Sequence, residues 1–147
     1  MKKTLYRLLF AAAALFAFVG CAQKEGPQQM IVGEWHYSGE ELGQAVDVYL
    51  GFDADGSFDL YQMIGEGLHR YYTGTYSIEG AVVSGVYSNG NPWASDYSVS
   101  FQDGSMTMKS TSVDYSITYT KKRIPDEIRD LNVVMKSADE EVFVPFL

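Results

Sequence analysis

The sequence predicts an all-β fold: an eight-stranded antiparallel up-and-down barrel with a short C-terminal helix and tail. Three observations carry that prediction. Across residues 31–123 apolar side chains mostly alternate with polar ones, the two-residue period of a strand buried on one face. Turn signals built from Gly, Asp, Asn and Ser return about every ten residues along the same span. No stretch between the strands has the helical period that a parallel crossover needs. Eight short antiparallel strands close most economically as a barrel, which leaves no exposed edge; a sandwich of the same strands is the alternative.

A chain of 147 residues, 20% charged and 46% hydrophobic, holds one globular domain. Its single cysteine excludes a disulfide framework within the chain, and no Cys/His spacing suits a structural zinc site. The formal charge of −8 mixes two regions. Lys2, Lys3 and Arg7 fall in the first twenty residues, which carry no acids, so the remainder sets 8 basic against 19 acidic side chains, a net of −11. Such a surface repels phosphate backbones, which argues against nucleic acid as a partner.

The first element is an address. Residues 1–7 form a basic head and residues 8–19 an apolar run of twelve, too short for a membrane-spanning helix of roughly 20 residues. Head, run and the small Gly20 read as a secretory signal peptide over residues 1–20. The segment Phe18-Val19-Gly20-Cys21 resembles a bacterial lipobox, in which the cysteine thiol receives diacylglycerol before cleavage in front of it. An ordinary signal peptide beside a chance cysteine is the plainer alternative. Two or three acyl chains, palmitate among them, would hold Cys21 on a membrane stably, where one holds a protein only reversibly. Residues 21–30 are polar and aperiodic and read as a lipidated flexible tether. Ala22 and Gln23 lack the aspartate that retains enteric lipoproteins in the inner membrane, so the resemblance implies an outer-membrane address.

Strands are predicted near 31–38, 45–52, 57–64, 68–78, 81–87, 94–101, 105–110 and 113–121. Turn length fixes which residues face each other. A three-residue loop at Asp53-Ala54-Asp55-Gly56, with Gly56 left-handed, opposes Phe52 to Phe58, Leu50 to Leu60 and Tyr49 to Tyr61. A type I′ turn at Asp103-Gly104 opposes Phe101 to Met106, Val99 to Met108 and Tyr97 to Ser110. A tight turn at Thr111-Ser112 opposes Met108 to Tyr115 and Met106 to Ile117. At Ile78-Glu79-Gly80 the pair Val82-Val83 permits either phase.

Three motifs then carry a resemblance. Gly33-Glu34-Trp35 opens the first strand as Gly-x-Trp, Phe52-Asp53-Ala54-Asp55-Gly56-Ser57-Phe58 makes the second hairpin, and Gly74-Thr75-Tyr76-Ser77-Ile78-Glu79-Gly80 closes a later strand. In that order after a lipobox, residues 31–123 resemble the lipocalin-like domains of Gram-negative lipoproteins. The resemblance implies that Trp35 plugs one barrel end under a basic residue of the last strand, Arg123 or Lys122, a structural role.

Residues 124–147 change pattern. Pro125-Asp126-Glu127 is a helix start, with proline in the first turn and acids near the positive end of the dipole. Ile128, Leu131 and Met135 follow at helical spacing. Residues 137–141 read as an acidic linker, and residues 142–147 (VFVPFL) are apolar and expected to dock somewhere.

Little in the chain suggests catalysis. His36 and His69, the only histidines, take outward phases and read as surface residues. No Ser-His-Asp spacing, phosphate loop or complete calcium loop is present. The expected activity is therefore non-enzymatic binding, without metal or cofactor. An eight-stranded barrel is just wide enough for packed side chains or one small ligand. The inward set is Phe52, Phe58, Leu60, Tyr97, Val99, Phe101, Met106, Met108, Tyr115 and Ile117. It either fills the interior or lines an apolar pocket, with Phe52, Leu60, Tyr97, Met108 and Tyr115 as ligand contacts. The alternative lies outside: Tyr49, Tyr61 and Tyr71 would form a tyrosine face recognising an envelope protein or glycan.

Overall fold

Eight antiparallel strands follow one another in chain order around a closed barrel. They are β1 (Gly33–Glu41), β2 (Gln44–Phe52), β3 (Ser57–Ile64), β4 (Arg70–Glu79), β5 (Val82–Tyr87), β6 (Tyr97–Gln102), β7 (Ser105–Ser110) and β8 (Ser116–Lys121). A helical turn α1 (Pro27–Met30) precedes them and a short helix α2 (Asp126–Asp130) follows. The computed structural model describes residues 25–130 and 145–147. The predicted signal peptide and Cys21 lie outside the described residues, as do residues 131–144. Closure comes from β1, which pairs with β2 over its full length and with β8 at Trp35–Lys121 and His36–Thr120. The up-and-down barrel is the fold, and the sandwich is excluded.

The turns place the register. Asp103 and Gly104 both have positive φ, 49° and 76°, as a type I′ turn requires. Phe101 accordingly faces Met106 and Val99 faces Met108. At the second hairpin Gly56 has φ 89°, and Phe52 faces Phe58, Leu50 faces Leu60 and Tyr49 faces Tyr61. Glu79 pairs with Val82, which settles the open phase: Val83 is buried and Val82 is 40% exposed.

The β7–β8 connection corrects the expected tight turn. Met108 faces Ile117 and Met106 faces Tyr119, two residues further along than a Thr111-Ser112 turn would give. The Ser110 hydroxyl accepts from the Ser112 and Val113 N–H groups at 3.2 Å each, and the Ser110 N–H donates to the Tyr115 carbonyl. These bonds hold a wider loop. A shift of two keeps the pleat phase, so Ile117 still faces inward while Tyr119 becomes one of the most buried side chains, 1% exposed.

The two barrel ends differ. At the end where β1 begins, Trp35 is 2% exposed and its indole N–H donates to the Ile31 carbonyl at 2.9 Å. Residues 27–30, expected within the tether, form α1 just before the fully buried Ile31. The cation over the Trp35 ring is Lys121, 5.6 Å from its centroid. Arg123 instead pairs with Asp126 at 2.9 Å in solvent, and Lys122 lies 5.8 Å over Tyr49. Alternation explains the correction: Lys121 shares the inward phase of Ile117 and Tyr119, Lys122 takes the outer one, and Arg123 lies past the last residue of β8.

Candidate functional site

The end opposite Trp35 is filled by the chain itself. Leu147 is 3% exposed and joins the main core, with Phe146 packed against it. Gln62 on β3 follows Phe58 and Leu60 in the inward phase, and its side-chain carbonyl accepts from the Phe146 N–H at 2.6 Å. Tyr87 closes β5, and its hydroxyl donates to a Leu147 main-chain oxygen at 2.9 Å. Tyr37 on β1 stacks on Phe146, centroids 6.4 Å apart, and donates to Glu41 at 2.7 Å. An apolar segment thus sits on two buried polar groups, one accepting and one donating.

Burial sets the protonation of this end. Burial, then the charge of neighbouring Tyr97, pushes the Tyr87 phenol far above its ordinary 10. Burial also raises Tyr97 and Tyr119. Burial, then Glu41, Tyr37 and Tyr97, pushes Tyr115 up to about 12. At neutral pH these are neutral phenols that can donate.

Below the tail the interior is packed. Phe52, Phe58, Leu60, Met106 and Met108 are each at most 2% exposed. The five expected ligand contacts all belong to this core: Phe52, Leu60, Met108 and Tyr97 are buried in it, and Tyr115 packs half-buried against it. The residues that hold the tail, Gln62, Tyr87 and Tyr37, were not among them. A glutamine on the apolar phase of β3 is the signal that could have found the site.

Trp93, from the β5–β6 connection, is a further residue outside the expected set. It is 5% exposed and packs edge-on against Phe58 at 5.1 Å and Tyr97 at 6.1 Å. Gly85 makes room for it: a Cβ there would come within 2.2 Å of the Trp93 ring. β5 and β6 pair only at Val82–Ser98 and Val83–Tyr97, and beyond them β5 bonds to the connection itself, the Trp93 main-chain N–H donating to the Gly85 carbonyl at 2.9 Å. The buried indole N–H of Trp93 has no hydrogen-bond partner among the described residues, an arrangement that costs about 1–3 kcal/mol. Tyr87 packs on the same Phe58 ring, at 5.6 Å.

The outer tyrosines are a correction. Tyr49, Tyr61 and Tyr71 do point away from the barrel interior, but they form no exposed face. Tyr49 is 7% and Tyr61 2% exposed, in a second apolar cluster with Ile124, against which Tyr71 and Ile128 pack. Glu34 holds the cover down, accepting from the Ile124 N–H at 2.7 Å and pairing with Arg129 of α2.

Beside them the two histidines share Asp47. His36 and His69 each place Nε2 2.6 Å from a different oxygen of that carboxylate, and His36 stacks on Tyr49 at 4.4 Å. Both rings are largely covered rather than freely exposed, and the carboxylate ties β1, β2 and the β3–β4 connection together. Among the described residues no three His, Cys, Asp or Glu side chains are placed to hold a metal ion.

Grooves also open among the described residues. One of about 570 Å³ runs between α1 and the ends of β4 and the β2–β3 turn, lined by Val32, Tyr76 and Ile78 among others. A polar one of about 430 Å³ crosses Ser100, Ser105, Thr107 and Thr118. Among the described residues no helix is long and apolar enough to cross a membrane. No family model matches the chain, and no curated protein or solved structure is significantly similar to it.

Proposed function

We propose that the protein is a lipocalin-like lipoprotein that binds a small apolar molecule, without catalysis, at the barrel end opposite Trp35. One observation carries the reading: Gln62 and Tyr87 aim an acceptor and a donor inward and already bind an apolar segment there. Ligand sites are typically apolar walls with a few placed polar groups. In the same core the Trp93 indole N–H has no partner among the described residues. The outer-face alternative loses its support because Ile124 and Ile128 cover Tyr49 and Tyr61.

The anchor belongs to the same proposal. The lipobox-like segment ending at Cys21 argues for an acylated cysteine and an outer-membrane address, with membrane attachment through lipid. Protein purified without detergent and examined by native mass spectrometry is expected to carry a bound small molecule or to take up an added apolar one. Failure to retain or take up any apolar molecule contradicts the binding reading. Labelled palmitate is expected to enter the unaltered chain and not the Cys21→Ala variant; equal labelling contradicts the anchor.

A further inference from the structure

We infer that residues 146–147 are a resident ligand: the barrel end reads an apolar amide, and an external ligand enters by displacing the tail. The inference rests on the binding reading above and names its ligand class and its regulation. The contacts are those of a ligand. The Phe146 N–H is taken by Gln62, a Leu147 main-chain oxygen by Tyr87, and the two apolar side chains by the core and the Tyr37 ring. Gln62 and Tyr87 come from different strands, β3 and β5, and are 3% exposed each. In an extended chain the two polar atoms are separated by about two residues, or roughly 7 Å. The matching ligand is an apolar molecule with an amide N–H and, one such span further on, an acceptor oxygen of a carbonyl or carboxylate. An acylated apolar dipeptide amide meets that description.

The tail has the advantage of being tethered. A segment joined to its own site competes intramolecularly, at an effective concentration set by the length and stiffness of its linker. The apparent affinity for any external ligand then falls by the fraction of molecules whose site is open. The tail therefore sets a threshold: weak apolar contaminants stay out, and a ligand that satisfies Gln62 and Tyr87 together enters.

The test is calorimetric titration of the full chain with N-decanoyl-phenylalanyl-leucinamide. The chain carrying Phe146→Ala and Leu147→Ala is expected to bind it at least about tenfold more tightly than the unaltered chain, because the open fraction rises. Methylating the ligand's phenylalanine nitrogen, or adding Gln62→Leu to that variant, is expected to lose most of the gain. Equal affinity for both chains overturns displacement while leaving the barrel a binder. No binding by either, in protein shown to be folded by circular dichroism, overturns both readings. A tighter variant that is indifferent to methylation overturns amide recognition alone. If the double variant does not fold, fluorine-labelled phenylalanine at position 146 of the unaltered chain decides. Its resonance is expected to move to a solvent-exposed position at ligand saturation, and a resonance that stays put at saturation contradicts displacement.

Discussion

The side-chain carbonyl of Gln62 accepts the Phe146 N–H at 2.6 Å, joining residues 84 positions apart. That bond ties the third strand to residues 146–147 inside the barrel. A buried amide is costly to leave unpaired, so Gln62 and the tail stabilise each other's placement.

Replacing Gln62 by leucine removes the acceptor but keeps an apolar volume. The Phe146 N–H is then stranded, and the folded state is expected to lose about 1–3 kcal/mol. Urea unfolding checks this through a lower midpoint at unchanged slope. An unchanged midpoint would mean that the tail does not hold the barrel.

Gly85→Ala probes the packing of Trp93 over Gly85. The new methyl falls within 2.2 Å of the indole, and overpacking of this kind costs about 1–3 kcal/mol. Tryptophan fluorescence is expected to shift to longer wavelength as Trp93 is pushed toward water. Ile124→Ala probes the cover on the other side. Ile124 is 1% exposed, and truncation is expected to cost about 2–5 kcal/mol while quenchers gain access to Tyr49 and Tyr61.

Alkaline pH is expected to unfold the barrel through its buried phenols. Tyr87, Tyr97, Tyr115 and Tyr119 hold their protons more tightly when folded than at the ordinary 10. Their contribution is therefore complete below pH 10 and is lost as pH rises past it, through about 12 for Tyr115. Urea midpoints should stay level with respect to these groups up to that point and then fall. Buried tyrosinate absorbance should appear only with unfolding.

Most of the scaffold was legible in the sequence, and particular residues show why. Asp103-Gly104 and the Asp53–Gly56 loop are turns whose backbone demands fix the pairing, so Phe101–Met106 and Phe52–Phe58 followed from local chemistry. The Ser110 loop did not follow, because its geometry comes from a side-chain hydroxyl that bridges several N–H groups. Phase gave the outward direction of Tyr49 and Tyr61. It could not say what lies over them, since Ile124 reaches them through a tether on Glu34, 90 residues away in the chain. The site failed for the same reason. Gln62, Tyr87 and residues 146–147 meet only through long-range closure, and alternation says nothing about which inward residues touch a returning segment.

The most direct measurement is a proton–nitrogen NMR titration of the indole N–H signals, of which this chain has two, from Trp35 and Trp93. Adding N-decanoyl-phenylalanyl-leucinamide is expected to move the Trp93 signal and leave Trp35, hydrogen-bonded to Ile31 at the far end, in place. A Trp93 signal that holds its position to saturating ligand, or a shift confined to Trp35, would contradict a ligand site at the Gln62–Tyr87 end.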